Sequence, residues 1–285
     1  MTNIDQFESV FKAATKTPFE RIPVRTASVI LVTDVDAEQT VAFQRRVESF
    51  LEEMGERRPQ QYCVIAGDQL GSVSGLLDAI RESRADLICT YRNLRIPATE
   101  HPYSLGVYVD VMSQVAEAPL LLLPRPEILA ERPDLMRNTR EVMAVTDHLT
   151  GDHRLVSYAA HCTADGGKLF LSHIEDAAIF ERYMDAIAKI PSIDTDVARH
   201  DLLERLLKDP RDYIRSCRES LAEESRLVVE EVVKLGRRLA DYKNMVTDHG
   251  IDLLVLHTKD ADQLAMHGYA YPLAVELRTV PLFLL

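Results

Sequence analysis

Three side chains in the second half of the chain follow short apolar runs and carry groups that titrate or ligate: Asp147 after VMAVT, His173 after LFLS and His257 after LLVL. One carboxylate and two imidazoles, brought together, would hold Zn²⁺ or another divalent cation, or pass a proton near neutral pH. Eight of the nine histidines lie beyond Pro124, so such chemistry would belong to that half. Asp34 and Asp36 in TDVDAEQ form a second pair of carboxylates, but two residues apart at a strand end their simpler use is to cap a helix. The third feature is the loop HTKDADQLAMHGYAYP, which leads from an apolar strand at His257 through Gly268 into a helix. An α/β protein holds a phosphate at that place, yet histidine, lysine and aspartates stand where glycines would be expected.

Composition narrows the classes. A formal charge of −12, spread over both halves, leaves no basic stripe for nucleic acid or an anionic membrane. The polar start MTNIDQFESV and the short apolar runs argue against a signal peptide or a spanning helix, so a cytoplasmic protein is expected. Cys63, Cys89, Cys162 and Cys217 lie far apart without a CxxC pair and read as small buried hydrophobes. No GxSxG, Walker loop, HExxH or GxGxxG is present, and no enzyme is expected. The cluster Asp194, Asp196, His200 and Asp201 reads as polar helix surface, with Asp201 capping DLLERLLK.

The elements that must position these groups are written twice. VILVTDVDAEQ (Val29 to Gln39) answers VMAVTDHLTGD (Val142 to Asp152), and ADLICTYRN (Ala85 to Asn93) answers IDLLVLHTK (Ile251 to Lys259). GVYVDVMSQVAEAPLLLL and GYAYPLAVELRTVPLFLL then place Gly106 and Gly268 each 13 residues before a proline. Apolar runs alternate with stretches of helical period, which is the pattern of a parallel sheet covered on both faces. The expected division is an N-terminal helical extension over 1–26, a first α/β domain over 27–124, a surface linker over 125–140 and a second α/β domain over 141–285. Asp34 and Asp86 stand 52 residues apart while Asp147 and Asp252 stand 105 apart, so the first half lacks one strand and its helical crossover. The missing piece reads as the second strand. In the extra unit, Asp209-Pro210 reads as a helix start followed by a face of Tyr213, Ile214, Cys217 and Leu221.

Halves that open on a strand ending Thr-Asp and close on Gly, 13 residues, Pro and an apolar strand resemble tandem universal stress proteins. LFLSHIED (Leu169 to Asp176) is similar to that family's second strand with its histidine. VVKLGRRLADYKNMVTDHGIDLLVL is similar to its third helix and fourth strand. The resemblance implies doubly wound parallel sheets of order 3-2-1-4-5, with ATP in some members held at the carboxyl ends of strands one and four. In that order the strand ends carrying Asp147, His173 and His257 would be neighbours.

ATP-binding members carry Gly-x2-Gly-x9-Gly-Ser/Thr after strand four. Here only the last glycine of the three survives, as Gly106 and Gly268. Tyr91 and His257 take the first glycine position, Leu94 and Asp260 fall in the middle, and Val107 and Tyr269 replace the hydroxyl residue. Neither ATP nor AMP is therefore expected, nor a divalent metal, although Asp34, Arg92 and Arg95 could meet an anion in the first half. The expected function is a non-enzymatic stress or signalling module acting on a protein partner. The alternative is a nucleotide- or metal-binding sensor or hydrolase using Asp147, His173 and His257. The closing strands PLLLL and PLFLL carry no charge to protect a sheet edge, so they are expected to pair with one another in an intramolecular pseudo-dimer, with a homodimer as a further possibility.

Overall fold

The computed structural model describes residues 18–54, 61–97, 101, 103–146, 149–224, 226–258 and 269–285. The first half runs β1 (Ser28–Thr33), α1 (Ala37–Glu53), β2 (Gln61–Ala66), a 3-10 turn at Gly67–Leu70, α2 (Val73–Ser83), β3 (Leu87–Tyr91), α3 (Val107–Val115) and β4 (Leu120–Leu123). After α4 (Pro126–Glu131) come β5 (Glu141–Thr146), α5 (His153–Cys162), β6 (Lys168–Asp176), α6 (Ala177–Ile187), α7 (Thr195–Glu224), β7 (Val228–Gly236), α8 (Arg238–His249), β8 (Leu253–Leu256), α9 (Ala270–Glu276) and β9 (Leu282–Leu284). The fold is α/β, built on one mostly parallel sheet in the order β2-β1-β3-β4-β9-β8-β5-β6-β7.

Strands β7-β6-β5-β8-β9 have the order 3-2-1-4-5. In the first half β2 pairs directly with β1, from Ser28 opposite Gln61 to Thr33 opposite Ala66. The position left out is thus the outermost one in space, not the second as the sequence reading had it. A parallel strand must hydrogen-bond to its neighbour, so the remaining strand moves in against β1 rather than leave a gap. This makes β2 a sheet edge and exposes Cys63, while Cys89, Cys162 and Cys217 are buried as expected.

Equivalent hydrogen bonds recur in both halves. Asp86 Oδ2 accepts from the Ser28 amide at 3.0 Å, as Asp252 Oδ2 does from the Glu141 amide at 2.9 Å. The Ile88 amide donates to Pro119 O at 2.9 Å, and the Leu254 amide to Pro281 O at 3.1 Å. The closing strands do pair, antiparallel, with Leu120 opposite Leu284, Leu121 opposite Phe283 and Leu122 opposite Leu282. Leu121 and Phe283 each lie two residues past their half's proline. A residue paired with its own counterpart marks a local twofold, and one continuous apolar core runs through this junction.

Residues 125–140 are more than a surface linker. Arg46 on α1 donates to Pro133 O and Leu135 O, Thr139 Oγ1 donates to Glu53 O at 3.3 Å, and Leu129 and Met136 are buried. Residues 18–27 carry no helix, and residues 1–17 of the expected helical extension lie outside the described residues. This segment runs along the second half instead: the Phe19 amide donates to Ser216 Oγ and the Ile22 amide to Ser157 Oγ, both at 3.0 Å. Helix α7 is continuous through Pro210, so Asp209-Pro210 starts nothing. Its cap is Asp194 rather than Asp201, accepting from the Asp196 amide at 3.0 Å. Tyr213, Ile214, Cys217 and Leu221 do form its buried face, and that packing offsets the bond lost at proline.

Candidate functional site

Strands β1 and β3 are parallel neighbours, so the residues that follow them emerge together at the carboxyl end of the sheet. There Tyr91 donates its hydroxyl to Asp34 Oδ1 and accepts from the Asp34 amide at 3.0 Å. Because that proton goes to Asp34, the Thr33 hydroxyl, 2.8 Å away, is the donor to Tyr91. Burial and then the bond to Asp34 push the phenol well above its ordinary pKa, so it remains a donor at neutral pH. Asp34 Oδ2 accepts from the Arg95 amide at 2.5 Å, and the Arg95 guanidinium donates to Gly67 O at 3.1 Å. Arg125 stands 5.1 Å from the Tyr91 ring centroid and donates to Arg92 O and Asn93 O, each at 2.9 Å.

This loop keeps the backbone shape that glycine would supply. Asn93 has φ +58° and Arg95 φ +62°, a conformation that costs a side-chain-bearing residue roughly 1–2 kcal/mol. The Arg95 amide bond to Asp34 and the Asn93 amide bond to Leu105 O at 2.7 Å offset that cost. Gly106 closes the loop with φ +86°, and a Cβ placed there would come within 2.9 Å of Asn93 Cα. Asp36, as expected, caps a helix: its Oδ1 accepts from the Gln39 amide at 2.8 Å.

Arg92 points elsewhere. It is buried and crosses to the other half, donating to Ala274 O and, at 2.8 Å, to Leu277 O at the end of α9. Burial, and then the positive charge of Arg278, draw its pKa down to about 9, which still leaves it charged at neutral pH. It is an inter-half strut.

In the second half β6 and β8 flank β5, so His173 and His257 stand at the same end of the sheet on either side of it. Each engages a different carboxylate. His257 Nε2 lies 2.9 Å from Asp152 Oδ2, while Asp152 Oδ1 accepts from the Leu155 amide at 3.0 Å and so caps α5. His173 is buried, with Nε2 3.4 Å from Glu175 Oε2. Asp147, Asp260 and Gly268 lie outside the described residues. Among the described residues no group of three or more His, Cys, Asp or Glu side chains is arranged to hold a metal ion, and His200 in the α7 cluster faces only Glu204 at 3.8 Å. A groove of about 820 Å³ opens beside the starts of α6, α8 and α9, where Asp176, Arg237, Arg238 and Tyr269 line it.

Sequence reasoning missed Arg125 and Asp152. Arg125 sits in a proline-flanked linker with no periodicity to reveal its direction. Asp152 had a signal, since it precedes a helical run as an N-cap does, but its bond to His257 spans 105 residues of chain.

No protein-family model matches the chain, and no curated protein matches it. Among solved structures it is similar to a putative universal stress protein from Pseudomonas aeruginosa, at 12% identity over 91% of this chain and 93% of that one, with a TM-score of 0.49. It is also similar to a universal stress protein from Archaeoglobus fulgidus, at 15% identity over 90% and 85% of the two chains, with a TM-score of 0.48. A Pseudomonas aeruginosa protein of unknown function is similar at 12% identity over 91% and 92%, with a TM-score of 0.48. No helix among the described residues is long and apolar enough to cross a membrane.

Proposed function

We propose that the chain is a non-enzymatic tandem module of the universal stress protein type, which acts through a protein partner and does not take ATP in the usual way. The observation that carries the reading is the internally satisfied crevice of the first half. The Arg95 amide, which in a glycine-rich loop would face a phosphate, donates to the Asp34 carboxylate, and Tyr91 donates to the same group. A triphosphate placed there would meet a fixed negative charge and would have to break those bonds. Exposed Tyr183, Ile190, Ile193 and Val197, near the α6–α7 connection, are apolar surface of the kind a partner covers, which supports interaction as the output. A sensor or hydrolase using Asp147, His173 and His257 is favoured less, because the two histidines already engage separate carboxylates.

Isothermal titration with ATP and Mg²⁺ tests the reading. The expected result is no saturable heat. Micromolar binding that disappears in an Arg95→Ala variant would move the ligand into the first-half crevice and overturn the proposal.

A further inference from the structure

The local twofold at β4–β9 sets up an exchange across the junction that is completed on one side. From the first half, Arg92 follows β3 and lays its guanidinium on Ala274 O and Leu277 O at the end of α9. Strand register fixes the counterparts on the other side. Ile88 lies opposite Leu120 as Leu254 lies opposite Leu282, so Thr258 holds the place of Arg92. Counting back from Pro119 and Pro281 in the same way, Met112 and Val115 on α3 hold the places of Ala274 and Leu277.

Threonine is too short to reach across. Its hydroxyl and amide both donate to Leu285 O at 3.0 Å. Between it and the end of α3 there is a cavity of about 110 Å³, bordered by Met112, Val115, Glu117, Arg154, Thr258 and Leu285. The side formed by the end of α3 is electronegative. Met112 O already accepts from the Ala116 amide at 3.0 Å and has one lone pair left, the last carbonyls of a helix carry partial negative charge, and Glu117, exposed at the mouth, adds a full one. Arg154 borders the cavity with its guanidinium 5.7 Å from the Tyr158 ring centroid, and its charge opposes another cation. The cavity is roomy enough for a planar head group.

We propose that this cavity binds a guanidinium group. A planar fork of N–H donors can address two carbonyls three residues apart, as Arg92 does on α9, whereas a compact ammonium would act only as a point charge. The group could come from a small guanidino compound or from an arginine side chain of a partner, and both present the same chemistry.

The test is thermal unfolding of the full chain in methylguanidinium chloride up to about 20 mM, against matched NaCl, since a ligand that binds only the folded state raises Tm with concentration. The expected result is a saturating rise of about 2 °C in the native chain. That rise should vanish in Thr258→Arg, whose own side chain would occupy the cavity, and, should that variant fail to fold, in Ala118→Leu, which narrows the cavity from a residue that also borders it. Arg154→Ala should lower the concentration at half-saturation by removing an opposing charge. In a parallel arm, a blocked Gly-Arg-Gly tripeptide is compared with Gly-Lys-Gly. Response to the arginine peptide alone assigns the site to a partner's side chain, and response to methylguanidinium alone assigns it to a small compound. No rise with either probe, or equal rises in the native chain and both cavity variants, overturns the proposal.

Discussion

Replacing Phe283 by alanine tests whether the two halves stand or fall as one unit. Phe283 is fully buried, lies opposite Leu121 in the antiparallel pair at the local twofold, and packs its ring 5.5 Å from that of Tyr158. The substitution leaves the backbone ladder intact and removes side-chain packing only, so the cost is transfer plus cavity, about 3–5 kcal/mol for a phenylalanine. Leu121 and Val255, the cross-strand neighbours on the same face of the sheet, are fully buried and held in their ladders, so the gap cannot readily collapse, which favours the middle of that range or above. At about 2 °C per kcal/mol for a chain of this size, the expected drop in Tm is about 8–10 °C. Differential scanning calorimetry should show a single transition that moves as a whole, because the core is continuous through the junction. Phe50→Ala, on α1 of the first half and in the same continuous core, should move the same transition by a similar amount. Two resolved transitions, with only one displaced in either variant, would refute the reasoning, as would a drop of less than about 2 °C for Phe283→Ala.

Deleting Phe283 to Leu285 removes the β9 ladder as well and leaves β4 a bare apolar edge, so size-exclusion chromatography should show loss of monodispersity as well as a lower Tm. Arg92→Met removes two charge-assisted bonds to α9 while relieving the burial of a charge near Arg278. The net cost in urea unfolding is expected at about 2 kcal/mol, with no change in any nucleotide response. Gly106→Ala forces a Cβ into the left-handed region and against Asn93 Cα, for a loss of about 2–3 kcal/mol by the same assay.

The period of the apolar runs made most of the fold legible, because a strand buried on both faces writes itself as VMAV or LLVL whatever surrounds it. The repeat made the junction legible too: two uncharged closing strands with matching prolines have one economical partner each. The place of the missing unit was not legible, since deletion along the chain and vacancy in the sheet are different things and only hydrogen bonding decides which strand moves inward. Pro210 misled for a related reason. A proline after aspartate is locally a helix start, yet the face Tyr213, Ile214, Cys217 and Leu221 gains more from packing than the helix loses at one missing amide.

The candidate site was legible in residue type but not in direction. Arg92 and Arg95 read alike in sequence, two arginines in one strand-end loop, and the structure turns one into the other half and keeps the other at the crevice. What separates them is the backbone. With φ positive at Asn93 and Arg95, the chain bends so that the Arg95 amide aims at Asp34, while Arg92, ahead of the bend, reaches the end of α9. Tyr91 fixes the other end of that bend by donating a hydrogen bond to the same carboxylate. A loop of this shape, with glycines and no Asp34 bonds, would present its amides outward. Here one carboxylate collects two of the donors, and the positive charge left over is spent between the halves. That division supports a crevice serving to lock the strand-end loop of the first half, with Arg92 tying that loop to the other half, rather than to receive a phosphate. It also predicts that Asp34→Asn, which keeps an acceptor for one donor but removes the charge, lowers Tm by about 2–4 °C without creating ATP affinity. If titration of Asp34→Asn with ATP instead gave saturable binding, the carboxylate would be a gate over a competent site, and the locking role would have to be abandoned.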